Sequence, residues 1–297
     1  MFNDSELLFS LEITIAYQFR NFMSYLRNVN KEGNFIFTPD YIKYTEVDDK
    51  KMSINDVYFD KNDLNRYIFN SKGKVTVGVN LEEFENKTDG IGRRDGIRIC
   101  LKKDKDSINQ LWIYILRQNG NPTASFITVK NVAINEEECP IILRKEPNVV
   151  TPIGNFIRIF KNIADIKSEY VVIQGYPNGI LLQAYLNCKS NGTFEEIGET
   201  PIMRSDNKIQ MPDLKTIEGM NTKEKKRINI VIKPEENIPN VIVTSEVLKN
   251  ISKISNISAP IANVKIYIEK DNPMKIVCPI GFFGQLTIYV QNNENEG

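Results

Sequence analysis

The chain has 297 residues, enough to bury substantial cores and more often divided into two domains than one. Its 38 Lys and Arg balance 38 Asp and Glu, so no strong overall field selects a partner, and any partner chosen by charge must meet a local patch. There is no histidine, which excludes Ser-His-Asp and Cys-His triads, H-E-x-x-H metal sites and every imidazole acid-base step; an enzyme could still use carboxylates or lysine, but most catalytic templates are gone.

The first stretch, MFNDSELLFSLEITIAYQF, is apolar in places, but Asp4, Glu6 and Glu12 interrupt it and no basic segment precedes it; it does not read as a secretory signal. No apolar run approaches the roughly 20 residues that span a bilayer, so a soluble intracellular protein with no membrane partner is expected. Cys100, Cys139, Cys188 and Cys278 lie far apart with no C-x-x-C pair. Buried, reduced thiols are expected of them, and neither a metal nor another cofactor.

Taken in chain order, the first periodic stretch is 15–29. Within YQFRNFMSYLRNV, Phe19, Phe22, Met23 and Leu26 recur at helical spacing as one apolar face, while Arg20 and Arg27, seven apart, share a polar one. NFIFTPDYIKYTEV (34–47) is β-branched and aromatic and predicts strands; the acidic run through Glu46, Asp48 and Asp49 lacks ligand spacing and reads as a surface turn. VNLEEFENKTDG (79–90) predicts a second helix over 81–88, with Glu82, Glu83 and Glu85 against Lys87 alone. Arg93 and Arg94 follow in GIGRRDG (90–96), a tight turn whose glycine spacing does not fit a dinucleotide loop and which no βαβ unit surrounds. GIRICLKK (96–103) and QLWIYILRQ (110–118) predict strands, followed by the turn residues Asn119-Gly120-Asn121-Pro122.

KNVAINEEECPIILRKEPNVVTP (130–152) mixes charges with Pro140, Pro147 and Pro152, as a connector would. A third helix is predicted over 155–164, where Phe156, Ile159, Phe160 and Ile163 form the apolar face and Arg158 and Lys161, at i and i+3, lie opposite. EYVVIQGYPNGILLQAYL (169–186) reads as a hairpin around Pro177-Asn178-Gly179. The polar stretch 191–226, including NTKEKKR, reads as a solvated loop, and RINIVIKP (227–234) as a strand. A fourth helix, EVLKNISKIS (246–255), buries Val247, Leu248, Ile251 and Ile254 and aligns Lys249 with Lys253. NVKIYIEKDNPMKIVCPI (263–280), a hairpin around Lys270-Asp271-Asn272-Pro273, and QLTIYVQ (285–291) complete the strands. Many antiparallel strands with four short helices indicate an α+β fold. Each half runs helix, strands, helix, strands, which is an internal duplication; it places one domain at 1–134, a connector at 135–150 and a second domain at 151–297.

Three of the four helices repeat one design, an apolar face backed by a same-sign pair of cations. Independent solvated faces normally mix signs for i, i+4 pairing, so the recurrence points to a shared anionic surface, the phosphates of a nucleic acid. No G-x-x-x-x-G-K-[S/T] loop occurs, so no nucleotide hydrolysis is expected.

These stretches resemble the eukaryotic-type sliding clamps, the family of proliferating cell nuclear antigen and its viral relatives. FRNFMSYLRNV is similar to the family's first inner helix, VGVNLEEF (77–84) to its V-N-L-x-x-[MF] lead into the second, and TPIGNFIRIFKNIADI (151–166) to its P-x-G-E-F-x-R-I-x-[RK]-D-[LI] lead into the third. SEVLKNISKISNIS (245–258) is similar to the last inner helix, and EKDNPMKIVCPI to the D-x-P-[LM] hairpin. The resemblance covers most of the chain. It departs from the family in its neutral charge, in a second helix short of cations and in a somewhat greater length; the Ile-, Asn- and Lys-rich composition suits an A+T-rich genome and a viral member.

The resemblance implies a DNA clamp: two duplicated β-α-β-β-β domains per protomer, and a homotrimeric ring with helices lining the hole and sheets outside. It implies a non-enzymatic processivity factor of the nucleus or a viral replication compartment, holding double-stranded DNA through phosphates and tethering DNA polymerase. A clamp loader and other peptide-motif replication proteins would be further partners. Arg20, Arg27, Arg158, Lys161 and Lys253 fall where the family places its DNA-facing cations, and Lys249 is an extra cation that the residue pattern supports. The connector, with Ile141, Ile142 and Leu143, and with Val47, Pro273 and Tyr289, matches the family's pocket for partner peptides. Ring closure would pair an edge strand near 124–130 with one near 188–197 of the next protomer. The alternatives are a subunit of a heteromeric clamp, a clamp-fold viral transcription accessory factor, and a carboxylate-dependent nucleic-acid enzyme.

Overall fold

The computed structural model describes residues 4–103, 109–130, 138–166, 168–176, 179–188, 193–203 and 238–292. The first eleven elements are β1 (Leu7–Ile13), α1 (Tyr17–Val29), β2 (Glu32–Phe37), β3 (Tyr41–Val47), β4 (Ser53–Asp60), β5 (Arg66–Phe69), β6 (Val75–Asn80), α2 (Leu81–Thr88), β7 (Gly96–Lys102), β8 (Gln110–Leu116) and β9 (Thr123–Thr128). They are followed by β10 (Val149–Pro152), α3 (Ile153–Asp165), β11 (Tyr170–Tyr176), β12 (Gly179–Cys188), β13 (Thr193–Met203), β14 (Asn240–Thr244), α4 (Ser245–Ser252), β15 (Asn263–Tyr267), β16 (Met274–Ile280) and β17 (Gly284–Val290). The order strand, helix, three strands thus occurs four times, with β5 inserted in the first copy.

Two units emerge. One comprises Met1–Cys139, Lys253–Ala262 and Val277–Ile288, the other Pro140–Ser252, Asn263–Ile276 and Tyr289–Gly297. In both, the strand that leads into one helix pairs with the strands that follow the other. In the first unit β1 pairs antiparallel with β7, and β6 with β2. In the second, β10 pairs with β15 and β14 with β11. Each βαβββ copy is therefore completed by its neighbour's strand.

The strands form because their sequences alternate. β8, QLWIYIL, turns Leu111, Ile113 and Ile115 inward, and β9 adds Ile127 to the same side through the registers Leu111↔Ile127 and Ile113↔Ser125. This sheet runs β5-β1-β7-β8-β9, so β9 is an edge; in the second unit a sheet ordered β13-β12-β11-β14 leaves β13 at an edge. The first core is aromatic, with Phe9 stacked on Phe37 at 3.8 Å and Phe22 edge-on to Phe59 at 5.7 Å. The second is built on Phe156 and Phe160, whose rings stack at 4.1 Å, together with the buried aliphatic side chains of β11 and β12.

Several sequence-based expectations change. Ile159 is only half-buried, and Ile153 and Ala164 join Phe156, Phe160 and Ile163 on the buried face of α3 because the helix starts two residues earlier than its periodicity suggested. α4 ends at Ser252, so Lys253 sits in a 3-10 turn, not on the same straight helical face as Lys249. β13 occupies 193–203, where a polar loop was expected; its pairing with β12 overrides its composition. The strand expected at 227–234, the NTKEKKR stretch and the turn residues Pro177 and Asn178 lie outside the described residues. Cys100 and Cys278 are buried free thiols, which burial pushes up to about 11 and about 12, and Cys139 is a half-buried free thiol.

Asn148 fixes the end of the connector. It is fully buried; its Nδ2 donates to the Tyr176 carbonyl at 2.8 Å, and its Oδ1 accepts from the Ile268 amide at 2.8 Å. Asn148→Ala strips both backbone groups of their partner, at about 1–3 kcal/mol for each buried group left unsatisfied. The expected result is a clearly lower urea midpoint for the second unit, read by fluorescence or circular dichroism; an unchanged midpoint would show that the connector is held by other contacts.

Candidate nucleic-acid interface

In the first unit α1 and α2 pack side by side, with Phe19 of α1 at 6.2 Å from Phe84 of α2. Asn80 caps α2, its side chain accepting from the Glu83 amide at 2.9 Å. The two arginines of α1 turn out to be engaged within their own unit. Arg27 pairs with Glu85 of α2 at 3.4 Å. Arg20 lies 5.0 Å from the Tyr17 ring, and its Nη1 donates to the carbonyls of Asp89 at 3.2 Å and Ile91 at 3.1 Å, in the loop that leaves α2. Lys253 is exposed at the start of its 3-10 turn, which is tied to α1 by Asn21 Nδ2 donating to the Asn256 carbonyl at 2.8 Å.

The second unit is different. α3 and α4 lie side by side and bury Phe156, Phe160, Ile163, Val247, Leu248 and Ile251. Arg158 and Lys161 of α3 and Lys249 of α4 are all exposed, and none makes an ion pair with the described residues. The exposed carboxylates of these helices, Asp165 and Glu246, stand at the last residue of α3 and in the first turn of α4. Arg158 and Lys161 therefore hold the middle of α3, and Lys249 the last turn of α4, away from Glu246 in its first turn.

The described part of the connector, 138–148, has no regular structure. The Leu143 amide donates to Glu269 Oε2 at 3.2 Å, and the same oxygen accepts from Asn272 Nδ2 at 3.1 Å, so the segment is tied to the turn before β16. Held that way, Ile141 is 80 % and Leu143 76 % exposed, while Ile142 and Pro273 are half-buried and Tyr289 is buried. Lys275 lies 5.4 Å from the Tyr267 ring and 5.8 Å from the Tyr289 ring. Val47, also placed with this group by the sequence, is a half-buried residue of β3 in the first unit. Sequence reasoning did not find Lys275, whose partner rings come from the two neighbouring strands β15 and β17. Among the described residues no cluster of Cys, Asp and Glu could hold a metal ion, and no helix is long and apolar enough to cross a membrane.

No protein-family model matches the sequence, and no curated protein matches it. The fold does match solved structures. Proliferating cellular nuclear antigen from Entamoeba histolytica superposes with a TM-score of 0.69 at 12 % identity, over 97 % of this chain and 99 % of that one. PCNA from Thermococcus kodakaraensis superposes with a TM-score of 0.71 at 15 % identity, over 96 % of this chain and 100 % of that one. The chain has the α+β clamp fold of PCNA along nearly its whole length.

Proposed function

We propose that this protein is a sliding clamp, a non-enzymatic ring that encircles duplex DNA and tethers a DNA polymerase and other replication proteins to it. The observation that carries the reading is the second unit's pair of helices, which bury Ile153, Phe156, Phe160, Ile163, Val247, Leu248 and Ile251, leave Ile157 and Ile159 half-buried, and present Arg158, Lys161 and Lys249 to solvent. Cations without carboxylate partners, spread along helix faces and offering no planar recognition of base edges, suit phosphates of any sequence. The clamp fold supplies the context, since rings of this kind need an edge strand at each end of the protomer, and β9 and β13 are edges of their sheets.

The test is topological. A ring that threads onto linear duplex should resist a high-salt wash if both ends are blocked after mixing, and run off if they stay open. Equal loss from blocked and open DNA would overturn encirclement.

The connector is the proposed docking site for partner peptides, with Ile141 and Leu143 as its exposed apolar anchors, Pro273 in the turn before β16 and Tyr289 in β17. Because both anchors are exposed, Ile141→Ala with Leu143→Ala should leave thermal stability within about 0.5 kcal/mol of the parent. Affinity for a polymerase tail peptide should fall about tenfold or more, the loss of at least about 1.4 kcal/mol typical of an anchor. Calorimetry showing the same affinity for both proteins would remove the connector from the site.

A further inference from the structure

The loop between α2 and β7 is built to hold two arginines outward. Its stem is fixed from four sides. Ile91 is fully buried, and its amide donates to the Thr88 carbonyl at 3.0 Å. Arg20 donates to the carbonyls of Asp89 and Ile91, at 3.2 and 3.1 Å. Arg117, from the end of β8, donates to the Gly90 carbonyl and to Asp95 Oδ2, each at 2.6 Å. Asp95 closes the loop on itself, accepting from the Gly92 amide at 2.9 Å and the Gln118 amide at 3.2 Å. These two amides and the Arg117 guanidinium hold its carboxyl below the usual carboxylate range, the Gly92 bond being the largest cause.

The acid within the tip is thus consumed by the loop's own framework. Arg93 and Arg94, which stand between Gly92 and Asp95, are exposed and make no ion pair with the described residues. An exposed arginine pair usually serves solubility and has mobile neighbours. Here the framework is hydrogen-bonded on both flanks and the neighbouring helix is acidic, with Glu82, Glu83 and Glu85 on α2, and α1 already gives Arg27 to Glu85 and Arg20 to the loop carbonyls. Both arginines of α1 are therefore spent within the unit, while Arg93 and Arg94 on the loop remain available to an outside anion.

We infer that the Arg93–Arg94 loop is a phosphate-contacting site for duplex DNA, doing for the first unit what Arg158 and Lys161 do for the second, with Arg20 as a positioning residue that aims it. This rests on the sliding-clamp reading. Guanidinium groups on a fixed turn can each meet a phosphate oxygen pair bidentately while reading no base.

The experiment titrates labelled duplex of two unrelated sequences with the full-length protein, its Arg93→Gln/Arg94→Gln variant, its Arg158→Ala/Lys161→Ala variant and its Arg20→Lys variant, across a salt series. The loop variant should bind about tenfold more weakly at low salt and lower the slope of log K against log salt by up to about 1.8, about 0.9 per phosphate contact, equally for both sequences and with unchanged thermal stability. Arg20→Lys should lower the slope in the parent and change nothing further when added to the loop variant; an additive loss would overturn the positioning role. If only the Arg158→Ala/Lys161→Ala variant changes the slope, the loop site is wrong and the clamp reading stands. If the parent shows no salt-dependent duplex binding, both fall. A loop variant that keeps its DNA slope but loses binding of inorganic phosphate would mark a small-anion site and overturn the DNA assignment.

Discussion

Replacing Ala124 and Thr128 by proline should convert an assembly of about three times 34.1 kDa into single chains of 34.1 kDa by in-line light scattering, while near-ultraviolet circular dichroism stays that of the folded protein. The reasoning starts from backbone direction. The Val129 amide donates toward β8, to the Asn109 carbonyl at 2.7 Å, and the Lys130 amide donates the opposite way, to the Gly78 carbonyl at 2.8 Å. Successive residues of a strand alternate in this respect, so Ser125 and Ile127 face β8, and Ala124, Phe126 and Thr128 turn their amides and carbonyls away from it. β9 is the edge of its sheet, and both Ala124 and Thr128 are exposed. Proline there deletes two donors that no neighbour among the described residues requires, which edge strands tolerate. A ring closed by β9 against β13 of the next protomer loses two of its ladder bonds and its flat approach. If the parent is already a stable monomer at micromolar concentration, the homomeric ring is wrong and a heteromeric one takes its place; if the variant keeps the full mass, closure does not use β9.

Legibility in the sequence followed the range of the interactions concerned. Helix α2, expected at about 81–88, runs Leu81–Thr88 because its signals are local: Asn80 caps it, and Leu81 and Phe84 are buried on one face. The burial of Phe19, Phe22, Met23 and Leu26 on α1 follows from spacing alone, as does that of Val247, Leu248, Ile251 and Ile254. What spacing does not carry is partnership. Arg20 and Arg158 look alike in the sequence, each a cation opposite an apolar face, yet one spends its donors on carbonyls of residues 89 and 91 and the other meets no described carboxylate. That difference comes from the loop after α2 reaching back to α1, a contact about seventy residues away in the chain. The residue pattern reads β13 as a polar loop, and only the resemblance places an edge strand near 188–197, for a related reason: a strand with this polar composition is stabilised by its ladder with β12 and not by its own propensity. The exchange of strands between neighbouring βαβββ copies has no local signal at all.

Removing Arg158 and Lys161 together should weaken duplex binding steeply without unfolding the protein. Phe156 and Phe160 anchor α3 from the buried side, and their stacked rings do not depend on what stands opposite. Both cations are exposed, and surface substitutions of this kind usually move stability by no more than about 0.5 kcal/mol. Their contribution to binding is of another order. Each guanidinium or ammonium that meets a phosphate releases condensed counterions, so the double alanine variant should lower the slope of log K against log salt by up to about 2 for each engaged protomer, and by the same amount for unrelated duplex sequences. Because the interaction is electrostatic, the difference between parent and variant should shrink as salt rises and the Debye length falls from about 10 Å at 0.1 M to about 3 Å at 1 M. A solvated helix face with no DNA role gives a different pattern: cations that serve folding would cost stability when removed and leave the salt slope where it was. Thermal denaturation and the salt titration, made on the same preparation, therefore decide between a face that meets phosphate and a face that meets only water.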